Sequence, residues 1–329
     1  MKSIITAVIS VICLVFPHLT ALAVVNAINT LPKAPEKHGS DCIHFMNTGS
    51  SDAILIESDG HFALVDAGED ADNPRGFDWL VYEGQEQKVL SYLKSHAADA
   101  NGKVHLDFVV GTHAHSDHIG GFDTVILDPD VTIDRAYLKE YDSSKINEYE
   151  IENWDNQEVY DQMINALAVK NIPVEKPGPA PFTLGNFKVT LINTDDPEKS
   201  EKVGENDNSL GVLLEKNGSR VFLAGDMDDY SGDETHLAPE IGKIDLLKVG
   251  HHSNPGSSSE TFIKTLLPDA CVVTTGRRNA NVNILAGIIK ICRNKNIYTT
   301  GNENGVLAVI GDSGDISYYG GIFDNLKTD

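Results

Sequence analysis

The chain is short of cysteine, of positive charge and of long apolar runs, and each shortage narrows what it can be. Four cysteines stand in 329 residues, at 13, 42, 271 and 292, and none forms a Cys-x-x-Cys pair. That spacing argues against cysteine-based metal binding. Lys and Arg number 26 against 49 Asp and Glu, for a net charge of −23. Such a surface repels polyanions at long range and counts against binding of long nucleic acid. The longest apolar stretch near the start, Ile4 to Phe16, is interrupted only by Thr6 and Ser10. It falls short of the roughly 20 residues that a membrane span requires.

With Lys2 ahead of it and Thr20-Ala21-Leu22-Ala23 behind it, that stretch matches a secretory signal peptide over residues 1–23. Cleavage after Ala23, or a few residues later, is expected. The product is then secreted, periplasmic or extracellular, with no stable membrane anchor. Lys2 is the only charge removed, so −23 becomes −24 in the mature chain. Cys13 leaves with the signal, and the odd number that remains implies at least one free thiol or an intermolecular bridge. Packed thiols are expected, with a bridge between Cys271 and Cys292, or one involving Cys42, left open.

What is present suits one large α/β domain. Residues 24–40 carry Pro32 and Pro35 among polar residues and are expected to form a leader or linker. The domain is expected over 41–316, with a tail over 317–329. Ala53 to Glu57 and His61 to Gly68 are strands joined at Ser58-Asp59-Gly60. Glu86 to His96 has helical apolar spacing at Val89, Leu90 and Leu93. Ile133 to Leu138 is expected to be a strand and Val159 to Val169 a helix. Residues 122–182, which include Tyr141 to Tyr160, rich in Asp, Glu, Asn and Tyr, are expected to carry the substrate-facing loops. Tyr137, Tyr141, Trp154 and Tyr160 are candidates for an aromatic wall, against the commoner alternative of ordinary packing. Later strands are expected at Phe187–Asn193, Ser209–Glu215, Arg220–Ala224 and Ile244–Val249. A helix over Ile284–Ile291 and a strand over Ile297–Thr300 follow.

The centre of the sequence is Gly111-Thr112-His113-Ala114-His115-Ser116-Asp117-His118-Ile119-Gly120-Gly121. Three histidines and one aspartate fall within six positions, directly after the apolar run Leu106 to Val110. Residues two apart on an extended chain point the same way, so His113 and His115 can face one centre. Asp117 and His118 lie past the bend and can face a second. Imidazole and carboxylate donors suit a borderline ion such as zinc.

His-x-His-x-Asp-His after a strand resembles the metal-binding signature of the metallo-β-lactamase fold superfamily, and the likeness extends from about Asp41 to about Ile316. The resemblance implies an αβ/βα four-layer sandwich with metals at a shared edge of two similar halves. It implies that Asp66, in Asp66-Ala67-Gly68, supports a metal histidine, a role in which a carboxylate fixes the imidazole tautomer. It also implies that Asp226, after a strand and Gly225, bridges two metals. The pair His251-His252 and the run Asn206-Asp207-Asn208-Ser209-Leu210 resemble the branch that includes ComEC-type domains and teichoic acid phosphorylcholine esterases. By that resemblance His251 completes a first site with His113, His115 and Asp226, and His252 is a proton donor or a supporting group. The second site has Asp117, His118 and Asp226. The branch's final histidine has no counterpart here, and Asn283 is its best match.

The resemblance implies a secreted hydrolase holding one or two Zn2+ ions, with Mn2+ an alternative. The chemistry expected is cleavage of phosphoester or phosphodiester bonds by a metal-bound hydroxide that Asp117 orients. Export favours a small-molecule or cell-envelope phosphoester, such as a phosphorylcholine or teichoic-acid-like group. Arg277, Arg278 and Lys248 are candidates for steadying negative charge. The alternatives are an extracellular nuclease of the ComEC-like type and a metal-stabilised protein that binds without turnover.

Overall fold

The computed structural model describes residues 31–35, 38–70, 83–195, 202–276, 280–293, 296–324 and 326. The signal peptide, part of the leader, Arg277 and Arg278 lie outside the described residues.

The chain opens with an antiparallel meander of β1 (Asp41–Phe45), β2 (Ala53–Ser58) and β3 (His61–Ala67). Helix α1 spans Glu86–His96, the range its apolar spacing predicts. After β4 (Val104–Leu106) comes β5 (Phe108–Val110), which lies parallel to β3. The histidine run follows β5 directly. It bends into the short helix α2 (Ser116–Ile119) and then α3 (Phe122–Leu127). Two glycines make that bend possible. A Cβ on Gly120 would lie 2.4 Å from the Ser116 carbonyl oxygen, and one on Gly121 would lie 2.3 Å from that of Ala67.

The expected strand Ile133–Leu138 is two short strands in different sheets. β6 (Val131–Ile133) pairs only with β4, and β7 (Ala136–Tyr137) continues the first sheet beside β5. Next come α4 (Glu148–Asn153), α5 (Asn156–Lys170) and β8 (Val174–Glu175). The second sheet is built from β9 (Phe182–Leu184), β10 (Phe187–Ile192), β11 (Gly211–Lys216) and β12 (Ser219–Leu223). After α6 (Asp233–Ile241), β13 (Leu246–Lys248), α7 (Glu260–Leu266) and β14 (Ala270–Val273) extend it in parallel. Helix α8 (Val282–Cys292) and strand β15 (Ile297–Thr299) complete it. The short helix α9 (Thr300–Glu303) leads to β16 (Val306–Ile310) and β17 (Ile316–Gly320), which return to the first sheet beside β1. Pairing therefore runs four residues past the boundary expected at 316, and Phe323 is buried in the core. Ala34, inside the expected leader, bonds to the Gly320 carbonyl.

Alternation along the strands makes the layers. Ile54 and Ile56 face inward, against Val189, Leu191, Val212 and Leu223 of the second sheet. Leu55 and Leu64 face outward and are covered by Val89, Phe122 and Met163 from helices. On the far side, Phe222, Leu247 and Val273 are covered by Ile241, Phe262 and Leu285. Helix, sheet, sheet and helix stack in that order, which is the metallo-β-lactamase sandwich. Each fully buried side chain of this kind stabilises the fold by about 1.5–3 kcal/mol. The three described cysteines are free thiols, with Cys42 and Cys271 buried. Among the described residues no helix is long and apolar enough to cross a membrane.

Polar ties also join the sheets. Asp41 at the start of β1 accepts from Lys216 Nζ at 2.7 Å, from Ser58 Oγ and from Asn186 Nδ2. Asp41 and Lys216 are both buried.

Candidate metal centre

Strand ends gather the chemistry. β5 delivers His113, β12 delivers Asp226, and β13 delivers His251 and His252, all from C-terminal ends that meet along one edge of the sandwich. The strands stop there, and after β12 the turn runs through Gly225 in the left-handed region. Gly225, at φ +55, also packs beside Thr112 and Ser209.

Asp117, His118, Asp226 and His252 each offer a donor atom within 4.8 Å of the others. His118 Nε2 lies 3.1 Å from Asp226 Oδ1, and His252 Nε2 lies 3.3 Å from Asp226 Oδ2. His252 Nε2 is also 3.5 Å from Asp117 Oδ2 and 3.2 Å from His118 Nε2. Donor atoms around one tetrahedral ion with bonds of about 2.0–2.1 Å stand about 3.3 Å apart. The cluster therefore has the spacing of a metal site. Asp226 Oδ1 is buried and accepts no hydrogen bond, so a lone pair is available for a cation.

His113 and His115 stand beside this cluster. His113 Nε2 is 3.0 Å from His115 Nδ1, again at a spacing that one ion can share. His113 Nδ1 is flanked by Thr112 Oγ1 at 3.0 Å and Ser209 Oγ at 3.3 Å. Burial, with His118 and His115 alongside, holds the His113 pKa well below its ordinary value. Neutral imidazole is the form that ligates a metal. His251 is set further out, with Nε2 4.0 Å from Asp226 Oδ2 and Asn206 Nδ2 within 3.3 Å of either ring nitrogen. The fourth donor near Asp117 and His118 is thus His252, whose neighbour His251 faces the pocket. Asn283 is exposed on the first turn of α8, where its backbone N–H is capped by Asn281 Oδ1.

A second layer fixes these rings. His118 Nδ1 lies 2.7 Å from Asp66 Oδ2, and Asp66 also accepts from the Thr112 backbone N–H and hydroxyl. His252 Nδ1 is 2.7 Å from the Thr274 carbonyl, which selects Nδ1–H and leaves Nε2 for the cluster. Burial disfavours a charged His118, but Asp226 and Asp66 outweigh it and hold the pKa well above the ordinary value. Burial opposes ionisation of Asp226, yet His118, His252 and Lys248 keep its carboxyl well below the usual range. Lys248 is fully buried and ion-paired with Asp52, with Asp226 Oδ1 3.5 Å away. It is an internal counter-ion and does not reach the pocket.

The pocket above the cluster has a volume of about 340 Å³. Asp117, Asn206, His251, Tyr149, Glu150 and Trp154 are among its lining residues. Of the four aromatics considered for a wall, Trp154 alone stands among its lining residues. Tyr137 instead stacks on Phe182 in the core. Glu150 was invisible to motif reading, because nothing in its spacing sets it apart from the acidic residues around it. It lies 3.2 Å from His115 Nε2 and accepts from the Glu205 backbone N–H. Asp52, likewise unmarked in the sequence, links Lys248 to His252, whose Nδ1 is 3.6 Å from Asp52 Oδ1.

The chain is similar to several known proteins. The beta-lactamase superfamily domain is matched across residues 61–252. ComE operon protein 3 of Bacillus subtilis is 26% identical over 184 residues, which is 55% of this chain and 21% of that protein. Recombination protein 2 of Haemophilus influenzae is 23% identical over 236 residues, 71% of this chain and 24% of that protein. The chain therefore spans a quarter or less of the length of these relatives. Among solved structures, the metallo-beta-lactamase fold protein YhfI from Bacillus subtilis is similar with a TM-score of 0.47 at 14% identity, covering 84% of this chain and 98% of that one.

Proposed function

The chain belongs to the beta-lactamase superfamily, and from that premise we propose that it is a metal-dependent hydrolase of phosphoester or phosphodiester bonds. The observation that carries the reading is the cluster of Asp117, His118, Asp226 and His252 beneath an open pocket.

His118, Asp226, His252 and Asp117 would hold one ion, and His113, His115 and Asp226 another, with zinc the first candidate and manganese the second. An ion so held polarises the scissile bond and lowers the pKa of water. Asp117, on the pocket wall, orients the attacking water and accepts its proton at a carboxylate oxygen. His251 and Asn206 face the same space and donate to the anionic oxygens of the substrate or leaving group. Glu150 and Trp154 line the same pocket and would shield the reacting bond from bulk water. His252 supplies a donor where the branch's last histidine has no counterpart, and this weakens the alternative of a protein that binds without turnover.

The Ile4–Phe16 stretch supports export, and with it an extracellular or envelope phosphoester. A nuclease of the ComEC-like type is the second reading, in keeping with the similarity to ComE operon protein 3. The charge of −23 weighs against it for long strands.

The test pairs metal content of the purified chain with turnover of bis-p-nitrophenyl phosphate and of a short single-stranded DNA. Bound metal with phosphodiester turnover that is lost in His118→Ala supports the reading. Preference for the DNA would move it to the nuclease. Metal-loaded protein that cleaves neither, nor any phosphomonoester, would end it.

A further inference from the structure

A second group of metal-ligating side chains sits at the opposite end of the first sheet. Cys42 and His44 are two apart on β1 and so share its outer face, and Glu57 of β2 is the register partner of Cys42. Glu57 is five residues along β2 from Asp52, about 17 Å at strand rise. His38, just before β1, turns back over them. Cys42 Sγ lies 3.2 Å from His38 Nδ1, which also lies 2.9 Å from the Gly39 carbonyl and would have to give up that contact to ligate, and His44 Nε2 lies 3.4 Å from Glu57 Oε2. His38, Cys42 and Glu57 offer donor atoms that all lie within 4.8 Å of one another.

His44 supplies an independent sign. Its side chain is 1% exposed, and its Nε2 makes no hydrogen bond although Glu57 Oε2 is near. Its Nδ1 is 2.8 Å from the Tyr92 hydroxyl on α1, an arrangement that fixes the ring. When Nδ1–H donates to Tyr92, Nε2 turns a bare lone pair towards a carboxylate. In that tautomer two acceptors face each other in a buried site, and a cation between them satisfies both.

We propose that His38, Cys42, His44 and Glu57 form a second, closed metal site for zinc or a similar divalent ion. Its donors are two nitrogens, one sulfur and one oxygen; the Cys42–His38 separation of 3.2 Å and the His44–Glu57 separation of 3.4 Å are close to the edges of a tetrahedral zinc site, about 3.3–3.8 Å, and His44 closes on the other three from the Glu57 side. Four protein donors leave no position for substrate, so its role is structural. It fastens His38 onto β1, β2 and α1. Burial, with Glu57 and Asp41 nearby, pushes the Cys42 thiol up to about 12. A bound ion takes the place of that proton, which Sγ otherwise donates to the Gly39 carbonyl. The spacing of the cysteines in the chain gives no sign of the site, because His38, His44 and Glu57 reach Cys42 through the hairpin and the turn before it.

Cobalt(II) titrated into the metal-free full-length chain tests the site without reference to activity. A thiolate-to-cobalt charge-transfer band is expected, because the centre at Asp226 contains no sulfur. Cys42→Ser should abolish the band and remove one equivalent of bound cobalt, whereas His118→Ala should keep the band. Absence of the band in the parent chain, or its survival in Cys42→Ser, overturns the proposal. Should Cys42→Ser fail to fold, Glu57→Gln decides: at least tenfold weaker binding of the thiolate-bound cobalt supports the site, and unchanged binding overturns it.

Discussion

His252 Nε2 lies 3.3 Å from Asp226 Oδ2, while the opposite ring nitrogen is anchored 2.7 Å from the Thr274 carbonyl. The backbone there has positive φ at both His251 and His252, +48° and +49°. With Ser253 at +66°, three consecutive non-glycine residues in that region store strain of order 1–3 kcal/mol each, of the kind tolerated at functional sites. The turn sends His252 into the cluster and His251 into the pocket.

Replacing His252 should therefore strip metal, and replacing His251 should spare it. His252→Ala is expected to weaken metal binding at least 100-fold, about 2.7 kcal/mol. His251→Ala should keep the metal and lose turnover. Calorimetric titration of both variants checks this, and equal metal affinity in the two would contradict the assignment.

Asp66 acts through the His118 ring. Asp66→Asn keeps the shape and most hydrogen bonds but removes the charge that orients Nδ1–H. Metal affinity should fall about 10–100-fold with the fold intact. A dissociation constant unchanged from the parent would assign Asp66 to the local turn alone.

The Asp41–Lys216 pair binds the two sheets. Lys216→Met leaves a buried carboxylate without its cation and should cost about 3–5 kcal/mol in denaturant unfolding. A cost below about 1 kcal/mol would show that the pair behaves as a surface bridge.

Asp41 also sets an acid limit. Burial raises its pKa, but Lys216, Ser58 and Asn186 outweigh burial and hold it below 3.8. The native state thus binds fewer protons here than the unfolded chain does. The stability it contributes is fully present above pH 3.8 and is lost as pH falls through the lower native value. In Asp41→Asn the slope of stability against pH should flatten in this range. An unchanged slope would assign the acid sensitivity to other carboxylates.

Gly121→Ala forces a Cβ against the Ala67 carbonyl, beneath the histidine run. Overpacking of this kind costs about 1–3 kcal/mol. The melting temperature should drop and metal affinity should fall with it. A variant as stable as the parent would show that the loop can shift without loss.

Much of the architecture was legible because alternation and helical spacing are local. Helix α1 and strands β2, β3, β10 and β12 fall where their apolar periods place them. Ile133–Leu138 misled because Asp134 and Arg135 interrupt one apolar stretch. The Asp134 backbone bonds back to Leu106, so the chain leaves one sheet there and enters another. At the site, the residues of the histidine run and Asp226 stand together, and their donor chemistry is written in the sequence. The parts of His251 and His252 were not, because backbone dihedrals decide which ring enters the cluster. Glu150 and Asp52 were hidden for another reason. Their importance lies in partners distant in sequence, and an isolated carboxylate carries no mark of that.

The first sheet holds the earliest and the latest strands side by side, with Cys42 of β1 opposite Val309 of β16. During synthesis β1 must therefore wait for nearly the whole chain before its outer edge is filled. A chain clipped before Val306 keeps that edge bare, with unpaired amides and carbonyls open to any extended strand nearby. Proteolysis ahead of β16 would then turn the folded molecule into one that seeds its own aggregation.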